Sequence, residues 1–572
     1  LLKRILIFLL LPFTSAAQNA ATDNASWWPL QKAPASISVC NISNQEDVTE
    51  LNLAQSLAGL AAQAINEGLA AEAVWITTPL KDYAIYYASL VKRLKLKKAG
   101  EYNVWQLAER YQKTGVIKGY VLYDFKRLDN SVNAATSFAA LTKGLLVDLS
   151  QEAMAKSRGF KKLADLSRRD LSPSLFDSLR IFSNASLLVI ANPVSSNNRD
   201  YAIAHKSIVY YGVDSIFQSI INWVKPISPV IGWNKGDESG HIAPCSKRGL
   251  INTASDWCMN LAVLSAGGNE TIKKIKGTDP HKINWKQKTN YHSFLMSDGD
   301  NMQWSMGAFL SSPEFWKNKY NEELSMSFTS CVLNLAQGAG DAYELLARTQ
   351  PGNGSVVEYG GGYYYPDLFA SETANPEKVL RAYAAGINTQ MKKTGTRVFG
   401  FICKNVSGEA AQKAYQVYAE ELEDITGMIA IQYSPYNGGH GKIFWVKNKK
   451  GISIPVLTAR YQLWANLTKN GSGNPAVIAR QINEDAEKSG NGHYALNCTV
   501  VHAWSRFIRD SSGLITDAPK KAGNSVRGVT PVKWTKELLN SSTTLVSVEE
   551  LLWRIRMEHN EEETKAVIAG IK

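Results

Sequence analysis

The sequence predicts an α/β protein in two parts: an N-terminal α/β sheet region followed by a C-terminal β/α-barrel-like domain. Three observations predict it. Short apolar runs alternate with helical patterns along most of the chain. Those runs are apolar on consecutive positions, as in strands buried on both faces of a parallel sheet. A polar stretch rich in Gly, Pro and charge, residues 267–290, interrupts the rhythm once, and a length of 572 residues asks for more than one domain.

The elements follow in order. The start, LLKRILIFLLLPFTSAAQ, places Lys3 and Arg4 before an apolar run too short to span a bilayer, with small Ser15 and Ala17 ahead of Gln18. This is the pattern of a cleaved secretory signal over 1–17, and it implies a secreted or periplasmic protein. No later run is long and apolar enough to be a membrane span, so no membrane partner is expected after signal removal. An N-terminal α/β region over 18–270 follows, with room for two subdomains. Leu53, Leu57, Leu60, Ala61 and Ala64 fall on one face of an amphipathic helix. Strands are expected at 73–78, 119–124, 145–149, 187–192, 229–233 and 261–266. No Gly-rich phosphate fingerprint follows any of them, so no dinucleotide site and no cofactor is expected. The C-terminal domain over 281–572 resumes with strands expected at 292–297, 325–330, 355–359, 397–403, 428–434 and 498–504. A β-hairpin is expected over 442–457, with helices at 376–393 and 409–424. Six or more β-α steps suit a β/α barrel, complete or distorted.

Composition excludes some classes. The net charge of +12 is a mild excess on a chain of this length, and no Arg/Lys stripe interleaves with aromatics, so no nucleic-acid partner is expected. The six cysteines include no CxxC pair, which argues against zinc. Export permits disulfides, and Cys245 with Cys258 is the pair nearest in sequence.

In β/α barrels the working residues gather at the C-terminal ends of the strands. Behind the expected strands lie Asp298, Asp300 and Asn301; Asn334; a loop YGGGYYYPDLF; Lys404 and Asn405; Tyr436, Asn437 and His440; and His502, Trp504 and Arg506. Acids, amides, histidine and aromatics follow nearly every strand, which a merely structural barrel would not need. The glycines 360–362 allow backbone angles closed to other residues and let a ligand approach the main chain. Three consecutive tyrosines are not expected all to be buried. Tyr363 and Tyr365 share a side in an extended segment, where their rings can stack on a sugar face; the bland reading is a tight turn packed on a neighbouring domain. Asp298 and Asp300, also two apart, share a face of a strand end, and two close acids split their pKa values. Glycoside hydrolysis uses such a pair, one carboxyl donating a proton and another attacking or activating water. Because a pair flanking a bond comes from opposite sides of a cleft, one of Asp298 and Asp300 is expected to work opposite Asp367 or Glu358. The catalytic candidates are therefore Asp298, Asp300 and Asp367. Substrate-binding candidates are Asn301, Glu358, Tyr363, Tyr365, Asn437, His502 and Trp504. No metal site is assigned, although the acids also suit a divalent ion with other ligands. Trp233, Asp237 and Glu238 read as an exposed polar loop, bordering the cleft only if the domains pack face to face.

The segment GGGYYYP, residues 360–366, carries the motif that names the GxGYxYP family, and MSDGDNMQW at 296–304 is similar to a stretch of that family. On these residues the chain resembles the GxGYxYP family of putative glycoside hydrolases. The resemblance implies an exported N-terminal α/β region ahead of a C-terminal domain carrying the motif, and a carbohydrate substrate. It transfers no catalytic residues. A non-catalytic glycan-binding protein and a metal-dependent hydrolase remain the alternatives.

Overall fold

A computed structural model describes residues 26–268, 272–469, 471–488, 494–519 and 522–571. The expected signal segment lies outside the described residues. The N-terminal half holds three small parallel sheets. In the first, Ser36–Asn41 lies between Glu72–Ile76 and Lys97–Asn103; in the second, Gly119–Tyr123 lies between Gly144–Asp148 and Lys162–Asp165. The third runs in the order Ile251–Thr253, Pro229–Ile231, Leu188–Ile190, Ile208–Tyr210.

The helix Val48–Asn66 packs on the first two sheets and on the helix Arg199–Ala204. Asp47 caps its start, accepting from the N–H groups of Thr49 and Glu50. It is not the amphipathic surface helix expected, because every residue from Leu51 to Ile65 is buried. Its polar positions are matched inside the protein instead: Asn52 donates to the Tyr123 hydroxyl at 3.0 Å, and Gln63 donates to the carbonyls of Ala140 and Ile203.

One expected strand is absent. Residues 261–266 begin with a single helical turn, Leu261–Leu264, all buried, and the fourth strand of the third sheet is the short Ile251–Thr253. A wholly buried apolar run has no alternation to separate strand from helix. Tertiary contact decides it: the buried Asp200 carboxylate accepts from the Ala262 N–H at 3.0 Å and fixes the turn. Cys245 and Cys258, the pair nearest in sequence, form no disulfide. All six cysteines are free and buried. Cys245 ends a helix beside Asn252, whereas Cys258 packs toward Tyr83 and Tyr86 of the first sheet's domain.

The C-terminal half is one curled sheet. Its main strands are β1 (Asn290–Met296), β2 (Ser327–Ser330), β3 (Val356–Tyr359), β4 (Val398–Cys403), β5 (Gly427–Gln432), β6 (Ile443–Lys447), β7 (Ser453–Thr458), β8 (Tyr461–Leu463) and β9 (Leu496–Val501), with the short Ser472–Gly473 paired to β8 and Thr543–Leu545 to β1. The order is β6-β7-β5-β4-β3-β2-β1-β9-β8, parallel except for the β6–β7 hairpin. The expected strands, hairpin and two helices are all present within a few residues. The expected barrel forms as a half-barrel. β7 and β8 are separated only by Ala459 and Arg460, yet stand near opposite ends of the strand order, so the sheet curls strongly. The free edge of β7 is occupied by β6, and the hydrogen-bonded path stays open.

Alternate residues of these strands face opposite ways. Leu295, Val357, Ile402, Ile431 and Val500 point inward, into one apolar cluster with Leu551, Leu552 and Ile555 of the helix Val548–His559. Phe294, Phe399, Phe401 and Met428 point outward to the flanking helices. Burying both sides explains the continuous apolar runs. Tyr359, Tyr363, Tyr365 and Ile242 belong to the inward cluster, so the third N-terminal sheet's domain closes the C-terminal ends of the strands. Among the described residues no helix is long and apolar enough to cross a membrane.

Candidate active site

The glycine–tyrosine loop after β3 is a scaffold. Gly360, Gly361 and Gly362 have φ of +75°, +75° and +144°. A Cβ on Gly362 would lie 2.3 Å from Ile251 Cγ2 and 2.9 Å from the Asn252 carbonyl oxygen, so only glycine fits. The permissive backbone was expected; the group that approaches it is another backbone, not a ligand. Tyr363 N–H donates to the Asn252 carbonyl at 2.7 Å, and Asn252 N–H returns a bond to the Tyr363 carbonyl at 3.1 Å. Glu358, a substrate-binding candidate, is fully buried and braces the loop. Its carboxylate accepts from Leu333 N–H at 3.0 Å and Gly361 N–H at 2.8 Å, and burial pushes its pKa up to about 8.

The three tyrosines are 3 %, 1 % and 0 % exposed, against expectation. Successive side chains alternate sides, and here both sides are interior. Tyr363 and Tyr365 do share a side, their rings 5.8 Å apart and edge-on. Tyr364 points the other way, sharing a hydrogen bond with the Tyr418 hydroxyl at 2.7 Å. Tyr363 therefore offers no open stacking face. Instead its hydroxyl donates to Glu238 Oε2 at 2.6 Å.

Glu238 opens the helix Glu238–Lys247 of the third sheet's domain. The segment around it is not simply an exposed loop. Glu238 is half-buried, and its pKa is raised by burial, opposed by the Tyr363 hydrogen bond and reinforced by the charge of Asp298. Trp233 stacks on Tyr363 with ring centres 6.0 Å apart.

Across from Glu238 is the corner after β1. Asp298 has a left-handed φ of +68°, so this segment is not extended. Gly299 lies against β2, where a Cβ would fall 1.8 Å from the Thr329 carbonyl oxygen. Asp298 is half-buried; its carboxylate accepts from the Ser297 hydroxyl and, at 3.4 Å, from Ala503 N–H. Asp300 is buried, and its pKa is driven well up, first by burial, then by the charges of Asp298 and Glu238. Asn301 donates to the Asp298 carbonyl at 3.2 Å and to Asp300 Oδ1 at 3.4 Å.

The acid that faces Asp298 and Asp300 is thus Glu238, not Asp367 or Glu358. Asp367 is bound through both oxygens, accepting from Lys404 N–H at 3.1 Å and Asn405 N–H at 2.9 Å. It braces the loop after β4. Lys404 carries its ammonium over the rings of Tyr365 and Tyr433, 5.2 and 4.8 Å from their centres, and donates to the Ser239 hydroxyl at 3.1 Å.

A half-buried aromatic rim continues from there. Tyr436, which feels the charges of Glu238 and Asp298, meets Trp464 edge-on at 4.9 Å. Trp464 stacks flat on His502, ring centres 3.7 Å apart. His502 Nδ1 lies 2.8 Å from the Ser505 hydroxyl. Trp504 packs on Trp304 at 5.2 Å and carries the Arg527 guanidinium over its face. Asn437 is buried under the backbone of Gly471 rather than lining the rim, and Asn334 is occupied by the indole N–H groups of Trp27 and Trp28, both at 3.0 Å. Lys404 and Tyr436 stand directly behind expected strands, a signal for including both. Trp464 gave none, because the three residues of β8 are too few to read as a strand. Among the described residues no three His, Cys, Asp or Glu are grouped to hold a metal ion.

No curated protein is significantly similar to the chain. A solved structure described as "a putative hydrolase from Bacteroides thetaiotaomicron VPI-5482" shares the fold, with a TM-score of 0.76 and 20 % identity over 94 % of this chain and 97 % of that one. Family models match in chain order: the GxGYxYP_N second domain over residues 117–179, the GxGYxYP third domain over 186–266, and the "GxGYxYP putative glycoside hydrolase C-terminal domain" over 288–537. The loop whose glycines and tyrosines bind two domains together is the motif of that name, and the chain belongs to the GxGYxYP family.

Proposed function

We propose that the protein is an exported glycoside hydrolase whose reacting carboxylates are Glu238 and Asp298, facing each other between the third N-terminal domain and the strand ends of the half-barrel. The observation that carries the reading is the Tyr363–Glu238 hydrogen bond at 2.6 Å, which holds an acid from one domain beside two acids from the other. Glycosidic cleavage needs one protonated and one charged carboxyl at the same pH. Glu238, raised by burial and by Asp298, is the proton donor to the leaving oxygen. Asp298, half-exposed and oriented by the Ser297 hydroxyl, is the nucleophile or the base for water. Asp300, buried within reach of both charges, keeps its proton and adds no third charge. The half-buried Tyr436, Trp464 and Trp504 replace Tyr363 and Tyr365 as the surface for sugar rings.

Export rests on the Lys3–Arg4 start, the apolar run and the small residues before Gln18; sequencing the mature N-terminus tests it, with Gln18 expected first. Turnover is tested on a panel of polysaccharides and aryl glycosides. Wild type is expected to hydrolyse at least one, and Glu238→Gln and Asp298→Asn to fold but not turn over. Full activity in both variants refutes the site, and tight binding of a glycan with no cleavage supports a binding protein instead.

A further inference from the structure

At the opposite end of the half-barrel strands, the helix Val548–His559 carries two buried side chains one turn apart, Trp553 and Arg556, 2 % and 3 % exposed. Both line a cavity of about 1050 Å³ beside the segments that lead into β4, β5 and β7. Three of their donors have no acceptor among the described residues: Trp553 Nε1, Arg556 Nε and Arg556 Nη2. The fourth, Arg556 Nη1, reaches only the Thr426 carbonyl at 3.4 Å.

A buried guanidinium with no hydrogen-bonded carboxylate is costly, as is each buried donor left without an acceptor. The carboxylates nearby do not supply the partner. Glu420 and Glu421 pair with Arg381, Glu421 also with Lys449, and Glu423 with Lys392. Glu563 lends its charge to Arg556 but spends a carboxylate oxygen on the Ser453 N–H. Asp424 is exposed at the rim. Burial lowers Arg556 only to about 10, so it is cationic at neutral pH. Its guanidinium lies over the Trp553 ring at 4.9 Å, which leaves the in-plane N–H fork unmatched, the geometry that suits a two-oxygen acceptor. Lys450 adds a further positive charge to the lining.

We propose that this cavity is a second binding site, independent of the candidate active site, for a small molecule bearing a carboxylate or phosphate group held by Arg556 and Trp553. The test is thermal unfolding of the full chain with inorganic phosphate or citrate, each against sodium chloride at equal ionic strength. One of the two is expected to raise the melting temperature saturably, by roughly 1–3 °C at a hundredfold excess over its dissociation constant; the larger response identifies the group. Arg556→Met is expected to abolish the shift and Trp553→Phe, which keeps the charge and removes one donor, to weaken binding several-fold by calorimetry. Should Arg556→Met fail to fold, Trp553→Phe and competition between the two anions on wild type decide. No anion-specific shift in wild type, or wild-type affinity in Trp553→Phe and Arg556→Met, overturns the proposal.

Discussion

Two segments meet at the candidate site from opposite sides, and they differ in how loudly their sequences speak. The loop after β3, with its glycine and tyrosine triplets, has a composition that stands out anywhere. The segment around Glu238 has an ordinary polar loop composition. In the folded protein the first is a buried scaffold whose backbone pairs with Asn252 and whose Glu358 is consumed in bracing it. The second delivers the carboxylate that faces Asp298 and Asp300. Unusual composition here reports an unusual backbone requirement, whereas the acid that meets Asp298 and Asp300 comes from a segment with no requirement of its own except position.

The largest test of this contrast is catalytic. Glu238→Gln and Asp298→Asn are expected to lower kcat by about 10³-fold or more on any hydrolysed glycoside with the fold intact, as loss of a catalytic carboxyl does. Asp367→Asn, in a loop brace, is expected to leave kcat within about tenfold and to lower stability by about 1–2 kcal/mol. A reversal of these two results would return the role to Asp367.

A second test breaks the scaffold. Gly362→Ala puts a Cβ 2.3 Å from Ile251 and keeps φ at +144°, and is expected to cost roughly 3 kcal/mol in denaturant unfolding. If it is neutral, the triple glycine is not needed for the domain contact.

The third concerns Glu358. Its folded pKa of about 8 lies above the ordinary 4.5, so the folded state holds this proton more tightly than the unfolded state. Its contribution to stability is fully present below pH 4.5 and is lost as pH rises toward 8. Urea midpoints measured across pH 5–8 are expected to fall, and Glu358→Gln to flatten the slope.

The smallest effect sharpens the link between the two segments. Tyr363→Phe removes the hydrogen bond that favours charged Glu238, so the pKa of Glu238 rises and the alkaline limb of the pH–rate profile moves upward, with kcat reduced only several-fold. A limb that stays in place removes Tyr363 from the positioning of the acid.

Legibility followed the local physics. β4 and β5 were readable because strands buried on both faces leave continuous apolar runs, and the hairpin because its strands bracket an exposed Lys-rich turn. The helix at 48–66 was found but misjudged, since its buried Asn52, Gln55 and Gln63 look like a polar face until their partners are known. Residues 261–266 carried no period at all. Asp298 and Asp300 were legible as an acid corner behind a strand, which is where the structure has them. The tyrosines were found as a motif but given an open face they do not have.

By itself the sequence determined the alternation of strands and helices, the glycine-only backbone at 360–362, and the acid corner behind β1, because each follows from residues adjacent along the chain. Only the tertiary structure decided that β6 covers the edge of β7 and leaves the barrel half-formed, that all three tyrosines lie inside, and that Glu238 is the facing acid. Those outcomes depend on which surfaces come together across more than a hundred residues of chain, as between Glu238 and Tyr363. No local pattern of charge or hydrophobicity encodes them.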